Sequence, residues 1–87
     1  MNITIIIPTK NRPAFINRQL QYLEISNYQG VLFVGDASDD DIFERNAELI
    51  KKFEVNFSIK HFHDKAAGCD QTASRLMQYV ETKYVAI

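Results

Sequence analysis

At 87 residues the chain holds one domain at most, or part of one, with a core that is thin for its surface. Its 46% apolar and 24% charged residues are ordinary for a globular chain, and 3 Gly with 2 Pro exclude collagen-like or low-complexity character. With 10 basic and 11 acidic side chains the net charge is −1, so no general electrostatic pull toward nucleic acid or an anionic membrane is expected.

No stretch approaches the roughly 20 apolar residues that a membrane span needs. Met1-Asn2-Ile3-Thr4 carries no basic segment or cleavage site, so no secretory leader is expected. Cys69 is the single cysteine, which excludes an internal disulfide and fits a reducing compartment. The expected location is cytoplasmic, with peripheral attachment to a membrane left open for a full-length form.

In chain order, Ile3-Thr4-Ile5-Ile6-Ile7 is a β-branched apolar run of the kind buried on both faces of a sheet, and Pro8 is expected to end it. Pro13 suits the first turn of a helix, where its missing N–H has no partner to lose. Ile16, Leu20 and Leu23 then recur at helical spacing, predicting a helix from Arg12 to about Ser26. Val31-Leu32-Phe33-Val34 is a second buried-type strand, closed by Gly35-Asp36-Ala37-Ser38. Asp41 with Glu44 three residues on forms a capping-box pattern, predicting a second helix from there to about Glu54 with Ile42, Leu49 and Phe53 on its inner face. Val55, Phe57 and Ile59 alternate with polar residues, as an edge strand would. Cys69, Ala73, Leu76 and Val80 predict a third helix from Ala67 to Glu81, with Cys69 as a small core residue; Tyr84 to Ile87 begins a fourth strand.

The pattern β-α-β-α-β-α-β implies an α/β fold, a three-layer Rossmann-like parallel sheet with right-handed crossovers. Two central-type strands and one edge-type strand favour the order 3-2-1-4. In such sheets ligands bind beyond the carboxyl ends of the strands at the switch point. Pro8 to Arg12 and Gly35 to Ser38 converge there. The whole chain reads as one partial domain, residues 1–87. A strand apolar on both faces at its end points to a fragment of a longer protein, truncated at the C-terminus.

Residue types alone support a nucleotide-sized ligand in an α/β crevice. A carboxylate fixed at a strand end can accept an N–H from such a ligand, while the Thr9 hydroxyl and backbone groups meet its carbonyls. Thr9 and Asn11 also suit capping of the first helix, and Asp36 suits a turn.

The runs Ile5-Ile6-Ile7-Pro8-Thr9-Lys10-Asn11-Arg12-Pro13 and Val34-Gly35-Asp36-Ala37-Ser38-Asp39-Asp40, spaced about 25 residues apart, resemble the N-terminal half of the family 2 glycosyltransferases, which have the GT-A fold. The resemblance covers the chain as an order of elements, but its specificity rests on about a dozen residues in these two loops. It implies an inverting transferase that moves a sugar from a nucleotide diphosphosugar, UDP-linked by expectation, to an acceptor hydroxyl on a glycan, lipid or protein. Asp36 would read the base, and Pro8, Thr9, Asn11, Arg12 and Ser38 would line the donor-nucleotide pocket. Gly68 and Ala73-Ser74-Arg75 loosely resemble the family's Gly-rich loop and the helix after it, so Gly68 would allow close approach of the donor and Arg75 would reach a phosphate. The family often has Tyr at the position of Lys10 and a second acid at that of Gly35. Its Asp-x-Asp, which holds Mg²⁺ or Mn²⁺ against the diphosphate, would fall after Ile87, as would the catalytic base. The 87-residue piece alone is therefore expected to transfer no sugar.

Asp39-Asp40-Asp41 also contains an Asp-x-Asp, but these acids open a helix, where the dipole favours negative charge, so they are read as capping and not as metal ligands. His61-x-His63 places two imidazoles on one strand face near Asp64 and Cys69; a zinc site there lacks the tight, repeated ligand pairs of structural zinc, so ordinary polar residues are the reading. No Gly-x-Gly-x-x-Gly follows the first strand, no P-loop is present, and the acidic pair of a phospho-receiver is missing. The competing reading is a non-catalytic nucleotide- or partner-binding α/β module, a degenerate remnant of such an enzyme.

Overall fold

The computed structural model describes residues 3–55, 57–65 and 69–87. Four strands and three helices alternate: β1 (Ile3–Thr9), α1 (Pro13–Ile25), β2 (Val31–Asp36), α2 (Asp40–Lys51), β3 (Ser58–His63), α3 (Cys69–Met77) and β4 (Tyr84–Ala86). The sheet is all-parallel with the order β3-β2-β1-β4, as the strand types lead one to expect. The expected central strands supply Ile6, Leu32 and Val34, all buried, while the expected edge strand β3 is outermost.

The helices sit on the two faces of the sheet. Ile16, Leu20 and Leu23 of α1 and Ile50 of α2 pack on Leu32 and Val34. On the other face Leu76 of α3 packs on Ile6 and Phe33, with Ala73 and Val80 beside them. Each large apolar side chain buried this way contributes about 1.5–3 kcal/mol of transfer free energy. The approach of α3 depends on Gly35. A Cβ there would come 2.0 Å from Thr72 Cγ2 and 3.1 Å from Leu76 Cδ1, so the second acid common in the resembled family has no room.

Several boundaries differ from expectation. β1 does not stop at Ile7: Pro8 and Thr9 continue it, opposite Gly35 and Asp36. Thr9 presents its carbonyl toward β2, accepting from Ala37 N–H at 2.9 Å. The neighbouring Pro8 therefore faces the β4 side, past the last β1–β4 pair at Ile5, where its missing N–H costs no sheet bond.

Helix α2 starts at Asp40, and its N-cap is Asp39, not Asp41; neither Asp39 nor a capping box supplies a side-chain cap. The Asp39 N–H donates to Asn11 Oδ1 at 3.0 Å, which holds Asp39 extended, and Phe43 N–H to Asp39 O is the first helical bond. Asp40 and Asp41 still lie in the first turn, where the dipole favours them. Likewise α1 is capped by neither Thr9 nor Asn11: its N-cap is Arg12, with no side-chain bond.

β3 begins at Ser58, because β2 begins at Val31 and those two are partners; Val55 is left outside, 86% exposed. At the other end β3 runs through His63. Helix α3 ends at Met77, not Glu81, in tighter turn bonds from Tyr79 N–H to Leu76 O and Val80 N–H to Met77 O. Its expected first residue, Ala67, lies outside the described residues, as does the side chain of Cys69. Among the described residues no helix is long and apolar enough to cross a membrane.

Candidate functional site

Parallel register sets the site. Thr9 and Asp36 end β1 and β2 as direct partners, and His63 ends β3 opposite Asp36, so three strands deliver their last residues to one rim. The two loops that leave this rim are stitched together. Asn11 N–H donates to Ser38 Oγ at 2.7 Å, and Asn11 Oδ1 accepts from Asp39 N–H. Asn11 has a φ of 52°, a left-handed conformation that Asn tolerates better than most side chains. The expected convergence of the first two loops is therefore present at the atomic level.

Asp36 is the centre of the rim, and its carboxylate is already occupied. It is 1% exposed. Its Oδ1 accepts from Ser38 N–H at 2.9 Å, closing a local Asx-type turn. Its Oδ2 accepts from Asn46 Nδ2 at 2.9 Å and lies 2.8 Å from His61 Nε2. Burial pushes the carboxyl pKa up, but hydrogen bonds from His61, Asn46 and Ser38 outweigh it and bring the value down from 3.8 to about 2. The group is a fixed anion at any ordinary pH.

Of the remaining sequence candidates, Thr9 and Ser38 are buried beside Asp36, and Thr9 Oγ1 has no hydrogen-bond partner among the described residues. Pro8 is half-buried one residue below. Arg12 turns away, its guanidinium 4.7 Å from the centre of the Phe15 ring. Arg75 is ion-paired with Asp64, whose N–H donates to the Asp36 carbonyl at 3.0 Å. It reaches the edge of the rim through that pair. Gly68 lies outside the described residues.

Four side chains of the cluster were missed as a group: Phe43, Asn46, His61 and His63. Phe43 of α2 stacks on His61 at 4.1 Å and on His63 at 3.9 Å between ring centres, nearly parallel to both. Two parallel rings that close can only lie on opposite faces of it, so Phe43 is sandwiched. His63 Nε2 lies 2.9 Å from the Ser38 carbonyl and donates to it. The histidines are thus held apart by an aromatic ring, and no group of three or more His, Cys, Asp or Glu side chains suited to a metal occurs among the described residues. Asn46 carried a signal: it falls on the inner stripe of α2 between Ile42 and Ile50, where an amide needs a buried partner.

Lys65 completes the rim, 3.3 Å from Asp40 across a solvent-exposed ion pair. Chemically the arrangement offers a desolvated anion, an unpartnered hydroxyl at Thr9 and two loops of fixed spacing. A search against protein-family models, curated proteins and solved structures found no match. The functional reading rests on the residues and their geometry.

Proposed function

We propose that this chain forms the donor-nucleotide half of a glycosyltransferase that uses a nucleotide diphosphosugar, with a uridine nucleotide as the expected donor. The supporting observation is the pairing of Thr9 with Asp36 at the carboxyl rim and the direct hydrogen bonds that lock the two following loops together. A planar base entering between those loops meets a buried anion, a hydroxyl and backbone groups, which is the donor and acceptor pattern an imide ring needs. In this reading the finer fold is the N-terminal half of a GT-A domain. The resemblance implies metal-holding acids and a catalytic base outside these residues, so no step of sugar transfer is assigned to them.

The occupied state of Asp36 favours a second reading, a non-catalytic module in which the Asp36 cluster only braces the loops. Titration with UDP, followed by heat of binding or by amide shifts, separates the two. Binding focused on Thr9, Asn11 and Ser38 amides supports the donor site, and Asp36→Ala should weaken it about 10- to 150-fold, the range for losing a hydrogen bond to a charged group. Absence of any nucleotide-dependent shift leaves the bracing role alone.

A further inference from the structure

The three donors on Asp36 are not equivalent. Ser38 N–H is fixed by the chain two residues away. Asn46 comes from the packed face of α2 and is 0% exposed. His61 comes from the outermost strand, and its side chain is 11% exposed while that of Asp36 is 0%. Of the three, His61 is the one that touches solvent.

His61 also has the right chemistry to stand in for something else. It presents a ring N–H 2.8 Å from Asp36 Oδ2. The N3–H of a uracil is a ring N–H of similar size and geometry. Its ring rests on the face of Phe43 and has no second polar partner among the described residues, so leaving Asp36 breaks one hydrogen bond only.

We infer that His61 is an internal occupant of the base-reading position, displaced when an imide-bearing nucleotide binds. This rests on the donor-site reading above. The exchange replaces one N–H donor on Oδ2 by another, so the buried anion is never left with fewer hydrogen bonds. Proton count is conserved: each ring keeps its own N–H. Neutral cytosine has no ring N–H to exchange, so Asp36 as acceptor sets the choice of base and His61, as the competitor for Oδ2, sets the affinity. His63 has the same ring and the same stacking partner but donates to the Ser38 carbonyl, so it takes no part.

The test uses the 87-residue chain, ¹⁵N-labelled at histidine, titrated with UDP and with CDP. UDP is expected to move the His61 Nε2 resonance and leave that of His63 near its starting position; CDP is expected to move neither. His61→Phe keeps the stack on Phe43 and removes the donor, and should raise UDP affinity about tenfold; His63→Phe should leave it within about twofold. UDP binding with the His61 resonance unmoved, or no gain in His61→Phe, overturns the exchange and leaves the donor site standing. UDP binding to neither wild type nor His61→Phe overturns both. If His61→Phe fails to fold, the wild-type histidine spectra with UDP and CDP decide alone.

Discussion

The two flanks of the sheet are built on different principles. On one side β1, β2 and β3 are paired over six positions at each junction, and their carboxyl ends carry polar side chains that satisfy one another. On the other side β4 pairs with β1 over three positions and is pinned at its start by the Thr4 and Thr82 hydroxyls, 2.6 Å apart. Beyond Ile5 that edge of β1 borders an apolar groove of about 370 Å³, lined by Ile7, Pro8, Phe15, Tyr22, Leu23 and Ile87. Tyr84 and Ile87 are largely exposed. Polar groups buried on the first flank are costly to orphan, so most are paired there, with Thr9 Oγ1 and Asn46 Oδ1 the buried exceptions among the described residues. Apolar groups on the second cost less per atom and are left in water.

The sharpest way to break this contrast is to remove the centre of the closed flank. Asp36→Ala leaves Ser38 N–H, Asn46 Nδ2 and His61 Nε2 without their acceptor in a site that water reaches poorly. A loss of roughly 3–5 kcal/mol is expected, because each buried donor left unpaired costs about 1–3 kcal/mol and three are left. Urea unfolding followed by circular dichroism measures it. A loss below about 1 kcal/mol would mean that water replaces the carboxylate freely.

Acid should dissect the same centre without mutation. The Asp36 carboxyl titrates near 2 in the folded chain against an ordinary 3.8. A depressed folded value stabilises the chain above the unfolded value, and that stability is lost as pH falls from about 4 through 2. The contribution is on the order of 2 kcal/mol. Stability curves at pH 5, 3 and 2 should show it, and the step should be missing from Asp36→Ala.

The contrast between the flanks was only half visible in the amino-acid sequence. Strand order was legible because β1 and β2 carry unbroken apolar runs and the segment with β3 alternates, which distinguishes centre from edge before any coordinates. The meeting of Thr9 with Asp36 followed from that order. What the pattern could not show is who satisfies whom. Asp41 with Glu44 is a sound local cap signal, yet a long-range bond from Asp39 N–H to Asn11 starts the helix earlier. Val55 fits the alternation of β3, but a strand can begin only where its neighbour offers a partner. His61 and Asn46 sit 25 and 10 residues from Asp36; the pairing of β3 with β2 brings the first to its carboxylate, and the packing of α2 over the sheet brings the second.

Asn11 tests the stitching between the loops. Asn11→Ala removes the acceptor for Asp39 N–H and places an ordinary residue at a φ of 52°. About 1 kcal/mol of destabilisation is expected. Asn11→Gly relieves the backbone conformation and loses only the side-chain bonds, so it should be the milder of the two. Equal losses would show that backbone strain contributes nothing there.

The smallest effects belong to the open flank. Tyr22 is 65% exposed and Ile87 72% exposed, so Tyr22→Ser or Ile87→Ser should shift the unfolding midpoint by no more than about 0.5 kcal/mol. Amide exchange should report the same asymmetry without mutation. β4 has one neighbour over three residues, whereas β2 lies between two strands over six, so β4 amides should exchange through local opening and β2 amides only through global unfolding. Protection of β4 equal to that of β2, and rising with protein concentration, would mean that another strand covers the groove. An added strand beyond Ile5 on that edge of β1 would bury the apolar lining of the groove.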